Sequence, residues 1–305
     1  MRLCVLAILL LTACAPQTLT VGTPVRQASL TPTNAVMEDA ACLPLRVWAA
    51  EDPTAIILGV HGFNDYSRAF ELPGPWFAER GMTFYAYDQR GFGEAPALGK
   101  WAGSDTLVHD LRTVTSLLAT QHPDIPLFIV GSSMGGAVAL AAAAEEGLAA
   151  DGLILAAPAV WGWSTINPLY RSTLWVAAHT APGYTLTGEG LGRLPSDNLE
   201  MLRQNFQDPL IIKETRIDSI YGLVDMMDQA YLSIEQVKPP VLLLYGDKDE
   251  IVPRGPVDDI KGRFENDLSV KDYPEGWHML LRDLQRETVW QDMAEWMKRV
   301  STALK

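Results

Sequence analysis

The sequence predicts an α/β fold: a mostly parallel central sheet flanked by helices, with a helical cap inserted into it. Three observations lead there. Continuous apolar runs of strand length recur at Ala55–Val60, Met82–Tyr87, Leu127–Val130, Gly152–Ala157 and Val241–Tyr245. Strands without polar alternation are buried on both faces, as in a parallel sheet covered by helices. Between them lie segments with helical spacing: Leu107, Leu111, Val114 and Leu118, and near the C-terminus Trp290, Met293, Trp296/Met297 and Val300. From Val160 to Val237 the rhythm stops, and Trp161, Trp163, Tyr170, Trp175, Tyr184 and Tyr231 appear among helix-like segments. An insertion there would lie over the carboxyl ends of the strands, where open α/β sheets bind ligands.

The remaining elements follow in order. Leu43–Ala49 reads as an early strand and Ser269–Tyr273 as a short late one. Ser133–Glu146 is mostly Ala and Gly, so its helix can pack very close to the sheet. The 305 residues suit one large domain with an insertion or two modest domains. The expected division is a core of residues 36–159 and 238–305, with a cap over 160–237. Hydrophobic residues make up 48% and charged ones 20%, an ordinary globular composition. The net charge of −13 carries no electrostatic footprint for nucleic acid, which needs clustered Lys and Arg.

The first residues form a separate unit. One positive charge at Arg2, an apolar run from Val5 to Leu11 and small residues before Pro16 describe a secretory signal over residues 1–13. The run is far short of the roughly 20 apolar residues that span a bilayer. Leu11-Thr12-Ala13-Cys14 resembles the bacterial lipobox, in which cleavage precedes the cysteine and that cysteine is lipidated. Residues 14–35, rich in Thr, Pro, Ala and Gln, then read as the lipidated Cys14 and a flexible tether. Ala15 follows Cys14 instead of the Asp that often retains lipoproteins at the inner membrane. The expected address in a Gram-negative source is therefore the outer membrane, facing the periplasm. Of the three cysteines only Cys42 lies in the body of the chain, so no disulfide framework is available.

Gly131-Ser132-Ser133-Met134-Gly135 carries the chemistry. It follows an apolar strand and opens a small-residue helix, the context of a nucleophile elbow. Ser133 occupies the nucleophile position and Ser132 a variable one. A serine hydroxyl needs an adjacent base, oriented in turn by a carboxylate. In the α/β-hydrolase chain order the serine precedes the acid, which precedes the histidine. Of the five histidines, His61, His109 and His122 precede Ser133, and His179 falls inside the insertion. His278, in a loop before the last helix, is the candidate base. Asp247, Asp249 and Glu250 compete as the acid after the strand Val241–Tyr245, and Gly-x-x-Asp-x-x-Val-Pro favours Asp249. The oxyanion donors are expected to be the backbone N–H groups of Phe63, after His61-Gly62, and Met134.

Together with Asp88-Gln89-Arg90-Gly91-Phe92-Gly93, these segments resemble the monoacylglycerol lipase and lysophospholipase branch of the α/β-hydrolases over residues 40–300. The chain departs from that branch after His61-Gly62, where Phe63-Asn64-Asp65 replaces the usual Gly-Glu/Asp-His. The resemblance implies a carboxylic ester hydrolase that acts on monoacylglycerol- or lysophospholipid-like substrates, with no metal or organic cofactor. It also implies a cap that receives an acyl chain. Trp161 and Trp163 are then expected either to line the acyl site or to form the core of the cap. Two other readings stay open: a peptidase or amidase on the same scaffold, and a non-catalytic envelope lipoprotein that binds acyl ligands.

Overall fold

The computed structural model describes residues 15–188 and 192–304. The strands are β1 (Ser29–Leu30), β2 (Asn34–Val36), β3 (Cys42–Trp48), β4 (Ala55–Val60), β5 (Met82–Tyr87), β6 (Leu127–Ser132), β7 (Gly152–Ala156), β8 (Thr185–Thr187), β9 (Glu214–Arg216), β10 (Val241–Gly246) and β11 (Leu268–Tyr273). The α-helices are α1 (Pro73–Ala78), α2 (Ser104–Gln121), α3 (Met134–Ala144), α4 (Pro168–Thr180), α5 (Leu199–Gln207), α6 (Ile217–Leu232), α7 (Arg254–Lys261) and α8 (Arg286–Ala303). One sheet runs in the order β1-β2-β3-β5-β4-β6-β7-β10-β11. From β5 to β11 all pairings are parallel, and β1, β2 and β3 join as antiparallel strands at one edge.

The five apolar runs are the five central strands. Every residue of β4, β5, β7 and β10 is buried, because helices cover both faces. Helices α2 and α3 pack on one face with the larger core cluster, while α1 and α8 close the other over Phe70, Phe77, Phe84 and Trp296. Ten of the eleven residues of α3 are buried, and its Ala and Gly side chains let it lie against β4 and β6. The parallel register brings the carboxyl ends of β4, β6, β7 and β10 to one edge of the sheet. The loops carrying His61, Ser133 and Asp249 all start there.

The interval Val160–Val237 is mainly helical, as expected, but it also holds a small antiparallel pair, β8 with β9. Three-residue strands are too short to leave a periodic trace in sequence.

The N-terminal segment differs from the expected flexible tether over residues 14–35. Residues 29–30 and 34–36 are sheet strands, the Leu19 N–H donates to the Trp101 carbonyl (2.8 Å), and the Val25 N–H donates to the Glu38 carbonyl (2.8 Å). The core therefore starts before residue 36. Cys42 opens β3 and is exposed.

A buried ion group fastens that segment. The Arg90 guanidinium donates to Asp39 (2.6 and 3.0 Å) and to Asp110 of α2 (2.7 and 3.0 Å). Hydrogen bonds from Arg90 hold the Asp39 carboxyl below its ordinary pKa. Removing one partner of a buried ion group strands the others without compensation, at a cost of about 3–5 kcal/mol. Arg90→Met is thus expected to lower the urea midpoint strongly. A midpoint equal to wild type would show that the group contributes nothing to stability.

Candidate active site

Ser133 sits between β6 and α3 with φ 52° and ψ −117°, a left-handed backbone that a residue with a side chain adopts only under constraint. Four backbone hydrogen bonds impose it. The Ser133 N–H donates to the Ala156 carbonyl (2.9 Å), and the Ser133 carbonyl accepts from the N–H groups of Gly136 (2.9 Å), Ala137 (3.2 Å) and Ala159 (3.0 Å). The flanking glycines are steric necessities. A methyl at Gly131 would lie 2.6 Å from the Gly135 carbonyl oxygen, and one at Gly135 would overlap the Val60 carbonyl.

Asp249 has a fully buried side chain. Its Oδ1 accepts from the N–H groups of Ile251 (2.7 Å) and Val252 (2.9 Å), and its Oδ2 accepts from His278 Nδ1 (2.8 Å). Nδ1 therefore carries the proton in that bond, which leaves Nε2 as the acceptor. Ser133 and His278 line the same cavity, of about 640 Å³. The rival acids are engaged elsewhere. Asp247 pairs with Arg254 on the surface, and Glu250 accepts from the Leu194 N–H (2.9 Å).

His61 is wholly buried and has both ring nitrogens occupied. Nδ1 donates to the Gly62 carbonyl (2.8 Å), and Nε2 accepts from the Gln89 N–H (3.0 Å). Burial lowers its pKa, so it is a neutral support for the loop that follows it. His179 lies on α4, stacked on Trp175 with ring centroids 4.2 Å apart. In the loop after His61, Phe63 lines the cavity and Gly62 runs past the Ser133 side chain. Among the described residues no backbone hydrogen bond uses the Phe63 N–H. Met134 is the first residue of α3, where a helical N–H has no intrahelical partner.

The cavity wall is otherwise mostly apolar. Trp161, Ile166, Tyr170, Leu174, Leu223 and Met227 face it from the insertion. Trp163 does not line it. It lies at a separate surface hollow with Asp228 and Gln229, where its Nε1–H donates to Asp225 (2.5 Å) and its ring meets Tyr221. Of the two tryptophans proposed from sequence, one reaches the cavity.

Sequence reasoning missed an ion pair on the wall. Arg282 donates to Asp65, and both side chains are nine-tenths buried. Asp65 stands two residues after Phe63, and Arg282 stands four after His278. A charged residue four places beyond the candidate base was the available signal. Among the described residues no group of three or more His, Cys, Asp or Glu is placed to hold a metal ion.

A family model described as serine aminopeptidase, S33, matches residues 51–285. The chain is 26% identical over 266 residues to the monoacylglycerol lipase of Mycolicibacterium smegmatis, spanning 82% of this chain and 91% of that protein. It is 27% identical over 269 residues to the monoglyceride lipase of Rattus norvegicus, spanning 83% and 85%. Among solved structures, it resembles a soluble variant of Saccharomyces cerevisiae monoglyceride lipase in complex with a substrate analog, with a TM-score of 0.75 at 21% identity, covering 94% of this chain and 99% of that one. It also resembles the Paleococcus ferrophilus monoacylglycerol lipase, with a TM-score of 0.73 at 20% identity, covering 85% and 99%. At these identities the solved structures speak for the fold.

The geometry sets the two acidic candidates apart. Asp249→Asn is expected to favour the wrong histidine tautomer and slow fluorophosphonate labelling of Ser133 by about 10³–10⁴-fold. Asp247→Asn should label at close to the wild-type rate. Equal slowing by both substitutions would remove Asp249 as the acid.

Proposed function

Because the chain belongs to the serine aminopeptidase S33 family of α/β-hydrolases, we propose that it is a serine esterase acting on monoacylglycerol- or lysophospholipid-like esters. The observation that carries this reading is the mostly apolar, capped cavity with Ser133 and His278 on its wall. An acyl chain suits such a wall, since each methylene withdrawn from water contributes about 0.8 kcal/mol.

The proposed steps use this chain's own groups. Ser133 Oγ attacks the ester carbonyl while His278 Nε2 takes its proton. The N–H groups of Phe63 and Met134 receive the charge that develops on the carbonyl oxygen. His278, held through Nδ1 by Asp249, then protonates the leaving alcohol, and water releases the acyl group from Ser133.

The family's description points also to peptide bonds. An aminopeptidase needs a negative group to receive the substrate's terminal ammonium. Among the described residues Asp65 is the carboxylate on this wall, and its charge is already matched by Arg282. That pairing supports a neutral ester. Purified protein should hydrolyse monoacylglycerols and long-chain methyl esters faster than aminoacyl p-nitroanilides, and Ser133→Ala should abolish all turnover. A preference for the anilides would replace the esterase reading with a peptidase. Absence of both turnover and fluorophosphonate labelling would leave an acyl-binding protein.

We also propose that Cys14, which lies outside the described residues, anchors the mature protein to the cell envelope, at the outer membrane in a Gram-negative source. Firm attachment takes two acyl chains or more, which a lipidated N-terminal cysteine would supply. Residues 17–20 lie beside Arg216 and Asp218 of the cap, so the anchor would leave the molecule next to the cap. Tyr170, Trp175 and Tyr184 are exposed on the cap. Wild type is expected in the membrane fraction, and a Cys14→Ser form should carry no lipid. Soluble wild type with the mass of an unmodified chain would end the anchor proposal and leave the esterase proposal standing.

A further inference from the structure

Six residues of the cap, Arg193–Asn198, touch the neighbours of two proposed triad members. Ser196 is a loop residue, yet it is completely buried. A buried hydroxyl needs a partner. Here it is Asp283, also completely buried, whose Oδ1 accepts from Ser196 Oγ at 2.6 Å. Asp283 Oδ2 accepts from the Trp277 N–H (2.8 Å), the amide immediately before His278. On the other side of His278, the Met279 N–H donates to the Pro195 carbonyl (2.9 Å). Further along, Leu284 N–H donates to Asp197 (2.9 Å) and Asn198 Nδ2 to the Arg282 carbonyl (2.9 Å). The near end of the same segment reaches the acid loop. The Leu194 N–H donates to the Glu250 carboxylate and Arg193 to the Glu250 carbonyl, each at 2.9 Å, one residue from Asp249.

We propose that Arg193–Asn198 is a strap that positions the base and the acid, with Ser196 and Asp283 as its central positioning residues. This rests on the reading of Ser133, Asp249 and His278 as a working triad. The backbone on each side of His278 is tied to the cap, at Met279 directly and at Trp277 through Asp283, while Gly276 just before it is tied to Tyr273 of β11 and to Lys248 of the acid loop. The imidazole is therefore placed by the cap as well as by Asp249 and the sheet edge. Burial raises the Asp283 pKa, and the hydrogen bonds from Ser196 and Trp277 act against that rise. Removing Ser196 Oγ leaves a buried carboxyl with one of its two partners.

The strap also determines how the cap moves. A second set of ties holds the cap to the loop after His61. Tyr66 O–H and Arg68 donate to Asp208 (2.7 and 2.6 Å), Asn64 Nδ2 donates to Thr215 (2.6 Å), and the Ile212 N–H donates to the Asn64 carbonyl (3.0 Å). Helix α4 buries only Ala178 among its thirteen residues. Opening on the strap side would withdraw Ser196 from Asp283 and Pro195 from Met279, removing the cap's ties to the base loop. Opening at α4 leaves the triad intact.

The test compares wild type with Ser196→Ala, Asp283→Leu and Asp283→Asn, measured well below their melting temperatures on a short-chain activated ester. Wild type is assayed first, because a wild type without turnover or fluorophosphonate labelling would fail the hydrolase reading and not the strap. Small displacements of reacting groups cost up to about a hundredfold in rate. Ser196→Ala and Asp283→Leu should therefore lower kcat roughly ten- to hundredfold with KM nearly unchanged. Asp283→Asn, which keeps one acceptor for Trp277 and a donor for Ser196, should recover most of kcat. Should the first two fail to fold, Asp197→Ala loosens only the Leu284 contact and should give a smaller loss, again in kcat. Folded variants that melt earlier but turn over at the wild-type kcat would overturn the strap.

Discussion

The left-handed backbone at Ser133 is the constraint around which this structure is arranged. A residue with a side chain stays at φ 52° only while its surroundings enforce it, and four backbone hydrogen bonds from both sides of the turn do so. That enforcement needs α3 to start almost in contact with the end of β4, where Gly135 meets the Val60 carbonyl. Close approach in turn demands the small side chains of α3, and these exclude water only because the flanking strands are apolar on both faces. Sheet, helix and elbow are therefore one packing solution. Its product is a hydroxyl held at the carboxyl edge of the sheet, beside the loops that bring His278 and the Phe63 N–H.

Much of this was legible in the sequence, and for physical reasons. Buried parallel strands must be continuous apolar runs, so β4, β5, β6, β7 and β10 announce themselves within a residue or two. The elbow is legible because its steric demands restrict residue type at Gly131 and Gly135. His278 followed from chain order and Asp249 from Gly-x-x-Asp-x-x-Val-Pro, and the structure joins them by a 2.8 Å hydrogen bond. What stayed hidden depends on contacts between distant segments. Strand β1 is held by β2 and β2 by β3, and β3 reaches the sheet only by pairing with the distant β5, a dependence that Thr- and Pro-rich composition conceals. Trp161 and Trp163 look alike in sequence, yet one faces the cavity and the other turns to Asp225 on the far side. Asp65 and Arg282 are 217 residues apart and meet only in the folded chain.

Charge is used sparingly near the proposed chemistry. Asp249 is shielded from water and takes two backbone N–H groups besides the imidazole, so its charge is met by fixed dipoles. The Asp65–Arg282 pair places opposite charges side by side on a mostly apolar wall, so together they add no net charge there. It also joins the loop after His61 to the loop after His278. The cap thus encloses a site whose parts are connected to one another through the cap as well as through the sheet.

The central claim is that Ser133 carries the acyl group between ester cleavage and release. Rapid acid quench of the purified protein during turnover of a monoacylglycerol, followed by peptide mass analysis, tests it directly. The account predicts that the peptide containing Ser133 gains the mass of the fatty acid less one water. Steady turnover with no acyl mass on that peptide, or with the acyl group on another residue, would contradict it.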